Sequence, residues 1–218
     1  MWGLTLALAP VAIAACALLQ APTRPQEPTK PYPYREEEVA YDNKKAGVRL
    51  AGTLTLPPSG GPFPAVLLLT GSGPQDRNAT VAGHRPFLVL ADYLTRRGIA
   101  VLRLDDRGVG GSSGSVMQST TADFAEDALA GVEFLKAHQD IEPRHIGLIG
   151  HSEGGAVAPL AASRSTSIAF LVLMAAPGLL GERLAILQRE SIARASGIPE
   201  AEIARTRAIE QKMMAVVR

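Results

Sequence analysis

Gly150-His151-Ser152-Glu153-Gly154 is the stretch of this 218-residue chain whose residue types and spacing best suit chemistry. It satisfies G-x-S-x-G directly after the apolar segment "RHIGLIG" and directly before the small residues of "GGAVAPLAA". A strand that turns sharply into a helix at Ser152 lifts the hydroxyl clear of the sheet, where it can attack an acyl carbon. Side chains at Gly150 and Gly154 would collide across so tight a turn, and the backbone at the serine is strained. The helix N-terminus beneath brings partial positive charge and free amides close to a developing oxyanion. Two other readings compete. Ser152 could simply cap the following helix, or the turn could hold a dinucleotide. The second would need glycine where Ser152 stands, since Gly150-x-Ser152-x-x-Gly155 puts a side chain where pyrophosphate must approach the backbone. "GVGGSSG" (Gly108 to Gly114) also misses that spacing, and no G-x-x-x-x-G-K-[ST] occurs.

A Gly71-Ser72-Gly73 turn follows another apolar run in "LLLTGSGPQDR". An acyl-transfer enzyme takes its second oxyanion-hole amide from such a place, so the amide of Ser72, or that of Gly71, is expected to pair with that of Glu153. An ordinary glycine turn is the plainer alternative. "LTGSGPQDRN", "LRLDDRGVGGSSG" and "GLIGHSEGG", in this order and at these separations, resemble the α/β-hydrolase superfamily, in its bacterial serine esterase and serine aminopeptidase-like branch. The resemblance spans roughly Glu37 to Pro177. It implies Ser152 as nucleophile, the Glu153 and Ser72 amides as oxyanion donors, and "DDRG" (Asp105 to Gly108) as a structural loop beside the site. It also implies cofactor-free action on carboxylic esters, thioesters or short peptide-like amides through an acyl-enzyme.

A serine at its free pKa is a poor nucleophile and needs a histidine base oriented by a carboxylate. In this fold the acid and then the histidine follow the serine in chain order, yet neither His nor Asp occurs after Ser152. His151 is expected to project away from the hydroxyl as a packing residue, and His138 and His145 to lie on the surface at the opposite end of the sheet. His84, ahead of the first helix, is the one histidine expected near the correct end. Asp105 and Asp106 sit at the correct edge but lack an imidazole partner. The chain is therefore expected to be truncated after Arg218, or a fragment of a longer reading frame, and to be hydrolytically dead or nearly so as it stands. A catalytically degenerate binding protein without turnover is the rival from another class.

The elements that must position these residues follow from hydrophobic pattern. "EVAYDNKKAGVRLAGTLTLP" alternates across a polar turn, as an antiparallel hairpin does. "PAVLLLTG", "GIAVLRLDDRG", "RHIGLIG" and "SIAFLVLMAAP" are nearly unbroken apolar runs, suited to strands buried on both faces. Helical patterns at residues 85–97, at 121–138 and after Ser152 separate them. Such alternation predicts an α/β fold with a mostly parallel sheet covered by helices on both faces and the antiparallel hairpin at its edge. Residues 182–218 are helix-biased and broken at "SGIPE", where Ser196 is expected to cap a second helix before Pro199.

Four segments are thus expected: an export segment at 1–21, a Pro-rich linker at 22–36, an incomplete α/β-hydrolase core at 37–178 and a helical cap segment at 179–218. Trp2 to Leu19 is apolar and uncharged, and ends at "QAPTRPQEPTKPYPYREEE". Four readings stay open for it: cleavage near Ala12-Ile13-Ala14, lipidation at Cys16 of "IAAC", retention as a membrane anchor, or a mis-called start. The first three place the protein outside the cytoplasm, in the periplasm or beyond, or membrane-attached, as a lipoprotein in the second case. Cys16 is the single cysteine, so neither an intrachain disulfide nor a cysteine metal site can form. A net charge of +1 without basic runs argues against nucleic acid. A small-molecule substrate is the expected partner, no metal or other cofactor is called for, and the oligomeric state is not legible.

Overall fold

A computed structural model describes residues 24–179 and 181–217. The apolar segment expected to direct export, with Cys16, lies outside the described residues. Among the described residues no helix is long and apolar enough to cross a membrane.

The hairpin forms from β1 (Arg35–Asn43) and β2 (Val48–Leu56), paired antiparallel in register from Arg35↔Leu56 to Asn43↔Val48. β3 (Phe63–Leu69), β4 (Ala100–Leu104), β5 (Ile141–His151) and β6 (Phe170–Met174) complete a six-stranded sheet in the order β1-β2-β4-β3-β5-β6. β4, β3, β5 and β6 run parallel, and only the hairpin side is antiparallel. Parallel neighbours need crossovers. Helices α1 (Pro86–Thr95), α2 (Thr121–Ala137) and α3 (Gly154–Ala162) supply them. This is the α/β fold with a mostly parallel, doubly covered sheet that the hydrophobic pattern predicts.

The central strand shows why its sequence is an unbroken apolar run. Ala65 and Leu67 belong to the core shared with α2 and α3, through Ala128, Val132, Val157 and Ala158. Val66 and Leu68 belong to the core on the other face, with Phe87 and Ala91 of α1. Neither face can be polar, so the period-two signal vanishes. α2 starts on a capping box, in which Thr120 Oγ1 accepts from the Asp123 amide and the Asp123 carboxylate accepts from the Thr120 amide.

Several details depart from the pattern. β5 begins at Ile141 rather than Arg144, with an irregular register between Phe63 and Ala65 of β3. β1 starts at Arg35, inside the expected linker, and the Pro-rich stretch before it is docked on the body. Arg24 donates to the Ala82 carbonyl, Glu27 pairs with Arg85, and Tyr34 is buried. Among the described residues β6 has a strand on one side only, and Phe170, Val172, Leu173 and Met174 are exposed.

Two helices follow, α4 (Gly181–Ala195) and α5 (Glu200–Val217), joined by ion pairs of Glu190 with Arg207 and of Arg194 with Glu200. Ser196 does not cap α5. It closes α4, where Gly197 at φ +78° lets its own amide reach the Arg194 carbonyl and the Ile198 amide reach the Ala193 carbonyl. A glycine able to take the left-handed conformation at this point satisfies the orphan carbonyls of the preceding helix, and that outweighs a serine's preference for the next N-terminus.

The loop after β4 is anchored from within. Arg107 donates two hydrogen bonds to Asp127 of α2, at 2.6 and 2.8 Å, and Asp127 also accepts from Asn43 of β1. All three residues are buried. Arg107→Ala would leave the carboxylate buried without its counter-charge, and the expected loss is about 3 kcal/mol or more, read as a lowered urea midpoint with an unchanged slope.

Candidate active site

All four parallel strands end at the same edge of the sheet, and the loops leaving them build the site. β5 ends at His151 and α3 begins at Gly154, leaving two residues for the reversal. Ser152 takes it at φ +52°. Ala79, Ala82 and Ala175 also carry positive φ, so strain alone does not mark the position. What distinguishes Ser152 is the crowding around it. A Cβ on Gly150 would lie 2.1 Å from the Gly154 carbonyl oxygen, and one on Gly154 would lie 2.4 Å from that of Leu69 and 2.6 Å from that of Thr70. Both glycines are required for α3 to start this close to the ends of β3 and β5. The Ser152 amide is held by the Met174 carbonyl at 2.9 Å, while its half-buried hydroxyl has no hydrogen-bond partner among the described residues.

The turn after β3 lies against the nucleophile candidate. A Cβ on Gly71 would stand 3.3 Å from Ser152 Cβ, 3.4 Å from His151 Nδ1 and 3.3 Å from Gln75 Nε2. Among the described residues the amides of Ser72 and Glu153 donate to no acceptor. Unused amides from two turns, beside one serine and at the N-terminus of α3, are what an oxyanion needs. The Glu153 side chain turns aside and accepts from Thr121 Oγ1 of α2 at 3.1 Å.

Behind this turn lies a cavity of about 60 Å³, lined by Thr70, Gly71, Asp106, Phe124, Glu153 and Val157 among others. Asp106 accepts from Thr70 Oγ1 at 2.7 Å and from the Gln75 amide at 2.9 Å. Burial pushes its pKa up to about 6, against those two hydrogen bonds and with the help of Asp105 and Glu153. Asp105 is held low despite its burial, because the Arg77 guanidinium and the Gly111 and Arg77 amides favour its charged form.

The four histidines separate as follows. His151 and His84 both line an open groove of about 830 Å³ in front of α1, together with Val81, Phe87, Tyr93 and Met174. His138 is half-buried, with Nε2 3.1 Å from Glu37 and Nδ1 accepting from the Asp140 amide. His145 is exposed. None forms a hydrogen bond with Ser152 among the described residues. The structure thus brings together Gly71, Ser72, Gly150, His151, Ser152, Glu153 and Gly154. It adds Thr70 and Gln75, for which the sequence offered no local signal beyond a polar residue at the end of a glycine turn, and it bonds both to Asp106, which the sequence placed at the correct edge. Among the described residues no group of three His, Cys, Asp or Glu side chains could hold a metal ion.

Comparison with known proteins gives a consistent result. The family model described as serine aminopeptidase, S33, matches residues 85–208. Esterase EstD of Thermotoga maritima is 33% identical over 156 residues, which is 69% of this chain and 37% of that protein. Human acyl-coenzyme A thioesterase 1 is 29% identical over 109 residues, 49% of this chain and 22% of that protein. The solved esterase Pf2001 of Pyrococcus furiosus superposes with a TM-score of 0.58 at 27% identity, covering 78% of this chain and 60% of that one. The chain spans little more than a third of the length of the first curated relatives it matches.

Proposed function

Since the chain belongs to the serine aminopeptidase S33 family of α/β-hydrolases, we propose that it carries the nucleophile and oxyanion hole of a serine hydrolase acting on carboxylic esters or thioesters. The observation that carries this reading is Ser152 at φ +52° with an unengaged hydroxyl, packed against Gly71 and flanked by the unused amides of Ser72 and Glu153.

In the acylation step Ser152 Oγ attacks the carbonyl carbon and gives its proton to an imidazole, and the carbonyl oxygen becomes an oxyanion held by the Glu153 amide and that of Ser72 or Gly71. Collapse expels the alcohol or thiol, which takes the proton back, and leaves an ester on Ser152. Water then repeats the sequence and frees the acid. The base and its carboxylate are the parts that the described residues do not bring to Ser152. In this fold both follow the nucleophile in chain order, and we place them in the full-length protein outside these 218 residues. The names of the relatives, an esterase and acyl-coenzyme A thioesterases, favour ester and thioester over amide as the bond cleaved. In this reading α4 and α5 belong to a cap over the site, and which acyl group is taken is set by such loops and caps rather than by the core.

A fluorophosphonate probe tests the assignment. The full-length protein should take one adduct, mapped by mass spectrometry to the peptide holding Ser152, and Ser152→Ala should take none. An adduct on another residue, or equal labelling of the mutant, rejects Ser152. A folded protein that binds ester substrates but is never labelled supports the rival reading, a binding protein without turnover.

A further inference from the structure

We propose that Asp106 is the positioning residue of the oxyanion hole, clamping both ends of the turn that carries the Gly71 and Ser72 amides. The inference rests on the hydrolase reading above and deepens it.

The turn begins at Thr70 and ends at Gln75. At its first end Thr70 Oγ1 donates to Asp106 Oδ1 at 2.7 Å. At its second end the Gln75 amide donates to Asp106 Oδ2 at 2.9 Å, and the Asp106 amide donates to the Gln75 carbonyl at 3.1 Å. One residue of the loop after β4 thus ties down both ends of a turn leaving β3, using both carboxylate oxygens and its own backbone. Gln75 adds an inner brace, with Nε2 donating to the Ser72 carbonyl at 3.2 Å. The turn needs such a brace. Gly73, at φ +85°, gives it freedom, and an oxyanion donor misplaced by a fraction of an ångström loses most of its effect. Among the described residues Asp106 makes no hydrogen bond with Ser152, so it acts through the turn.

The charges around Asp106 decide how the clamp responds to pH. Asp105 beside it is neutralised by Arg77, Arg107 on its other side is paired with Asp127, and Glu153 of the elbow faces the same small cavity bonded to Thr121. Among the described residues no cation pairs with Asp106. Its carboxyl therefore takes a proton near pH 6, and the protonated oxygen then donates to Thr70 Oγ1 while the other still accepts from the Gln75 amide. The turn is held on both sides of that pH, with the hydrogen bond between Asp106 and Thr70 reversed below it.

Two measurements on the full-length protein test this. In an ¹⁵N–¹H spectrum followed from pH 5 to 8, the Gln75, Ser72 and Gly71 amides should shift together with a midpoint near 6, and should be flat in Asp106→Asn. In steady-state hydrolysis of p-nitrophenyl butyrate, Asp106→Ala should lower kcat by about 10²-fold, the size of effect seen when an oxyanion donor is lost, with KM within about twofold. Asp106→Asn keeps an oxygen for the Gln75 amide and an amide facing the Thr70 hydroxyl, so it should recover kcat to within about tenfold. Thr70→Val, which frees one end only, should fall between the two. Amides that titrate alike in wild type and Asp106→Asn, or an Asp106→Ala loss that is all in KM, overturn the clamp. If Asp106→Ala does not fold, the Asn titration decides. A wild type that neither turns over nor takes the probe rejects the hydrolase reading instead, and the amide titration still settles whether Asp106 holds the turn.

Discussion

Ser152→Gly in the full-length protein is expected to lower ester turnover by a factor of about 10⁴ to 10⁶ and at the same time to raise the free energy of unfolding by about 1 kcal/mol. The two effects share one cause. A residue with a side chain at φ +52° costs about 1–3 kcal/mol, which glycine largely avoids, at the expense of a more flexible unfolded chain. Nothing in the folded state is lost with the hydroxyl, since it has no partner among the described residues. Ser152→Ala separates the terms: alanine keeps the strained backbone, so it should be as inactive as glycine without the gain in stability. Chemical denaturation beside turnover of p-nitrophenyl butyrate reads both. Equal stabilisation by alanine would show that the elbow is not strained, and turnover within about tenfold of wild type in either variant would show that another residue is the nucleophile.

Gly150→Ala should damage the protein more than any substitution at Ser152. The added methyl would stand 2.1 Å from the Gly154 carbonyl oxygen and 2.7 Å from the Gly155 amide nitrogen. Both are backbone atoms in the first turn of α3 and cannot swing aside. Either α3 moves away from the sheet or β5 bends, and both break the packing of Val157 and Ala158 against the core. A loss of about 4 kcal/mol or more is expected, at the diagnostic end of single-residue effects, together with loss of probe labelling. Gly178→Ala is the control: a Cβ there meets nothing within 4 Å, so stability should stay within about 0.5 kcal/mol. A Gly150→Ala protein with wild-type stability would mean that the turn is far looser than its geometry requires.

What the sequence made legible was what is local. The apolar run from Ala65 to Leu69 and the spacing of Gly150, Ser152 and Gly154 each carry their meaning within a few residues, so the mostly parallel sheet, its crossovers and the sharp strand-to-helix turn could be read directly. The Asp106 clamp could not, because Thr70 and Gln75 lie 36 and 31 positions from Asp106 and nothing short-range couples them. For the same reason the Pro-rich stretch looked like a tether: its composition is that of a linker, and the Glu27–Arg85 pair that docks it spans 58 positions. Ser196 shows a different limit, where two local rules competed and the helix-ending glycine beside it decided the outcome. His138 was placed correctly in the chain but not in its surroundings, since Glu37 reaches it from the opposite side of the sequence.

The strand order also sets a timetable. Leu68 of β3 pairs with Arg103 of β4 on one side and with Ile149 of β5 on the other. The hairpin and β4 can therefore assemble beside β3 early in synthesis, but the other edge of β3 has no partner until β5 leaves the ribosome. At about 5–20 residues per second that interval is roughly 4 to 16 s, long compared with the sub-millisecond collapse of a chain this size. Throughout it the nascent chain displays an unpaired, almost purely aliphatic strand, the kind of edge on which chains associate. The yield of folded protein should thus be governed less by final stability than by how well that edge is shielded before residue 150 is made.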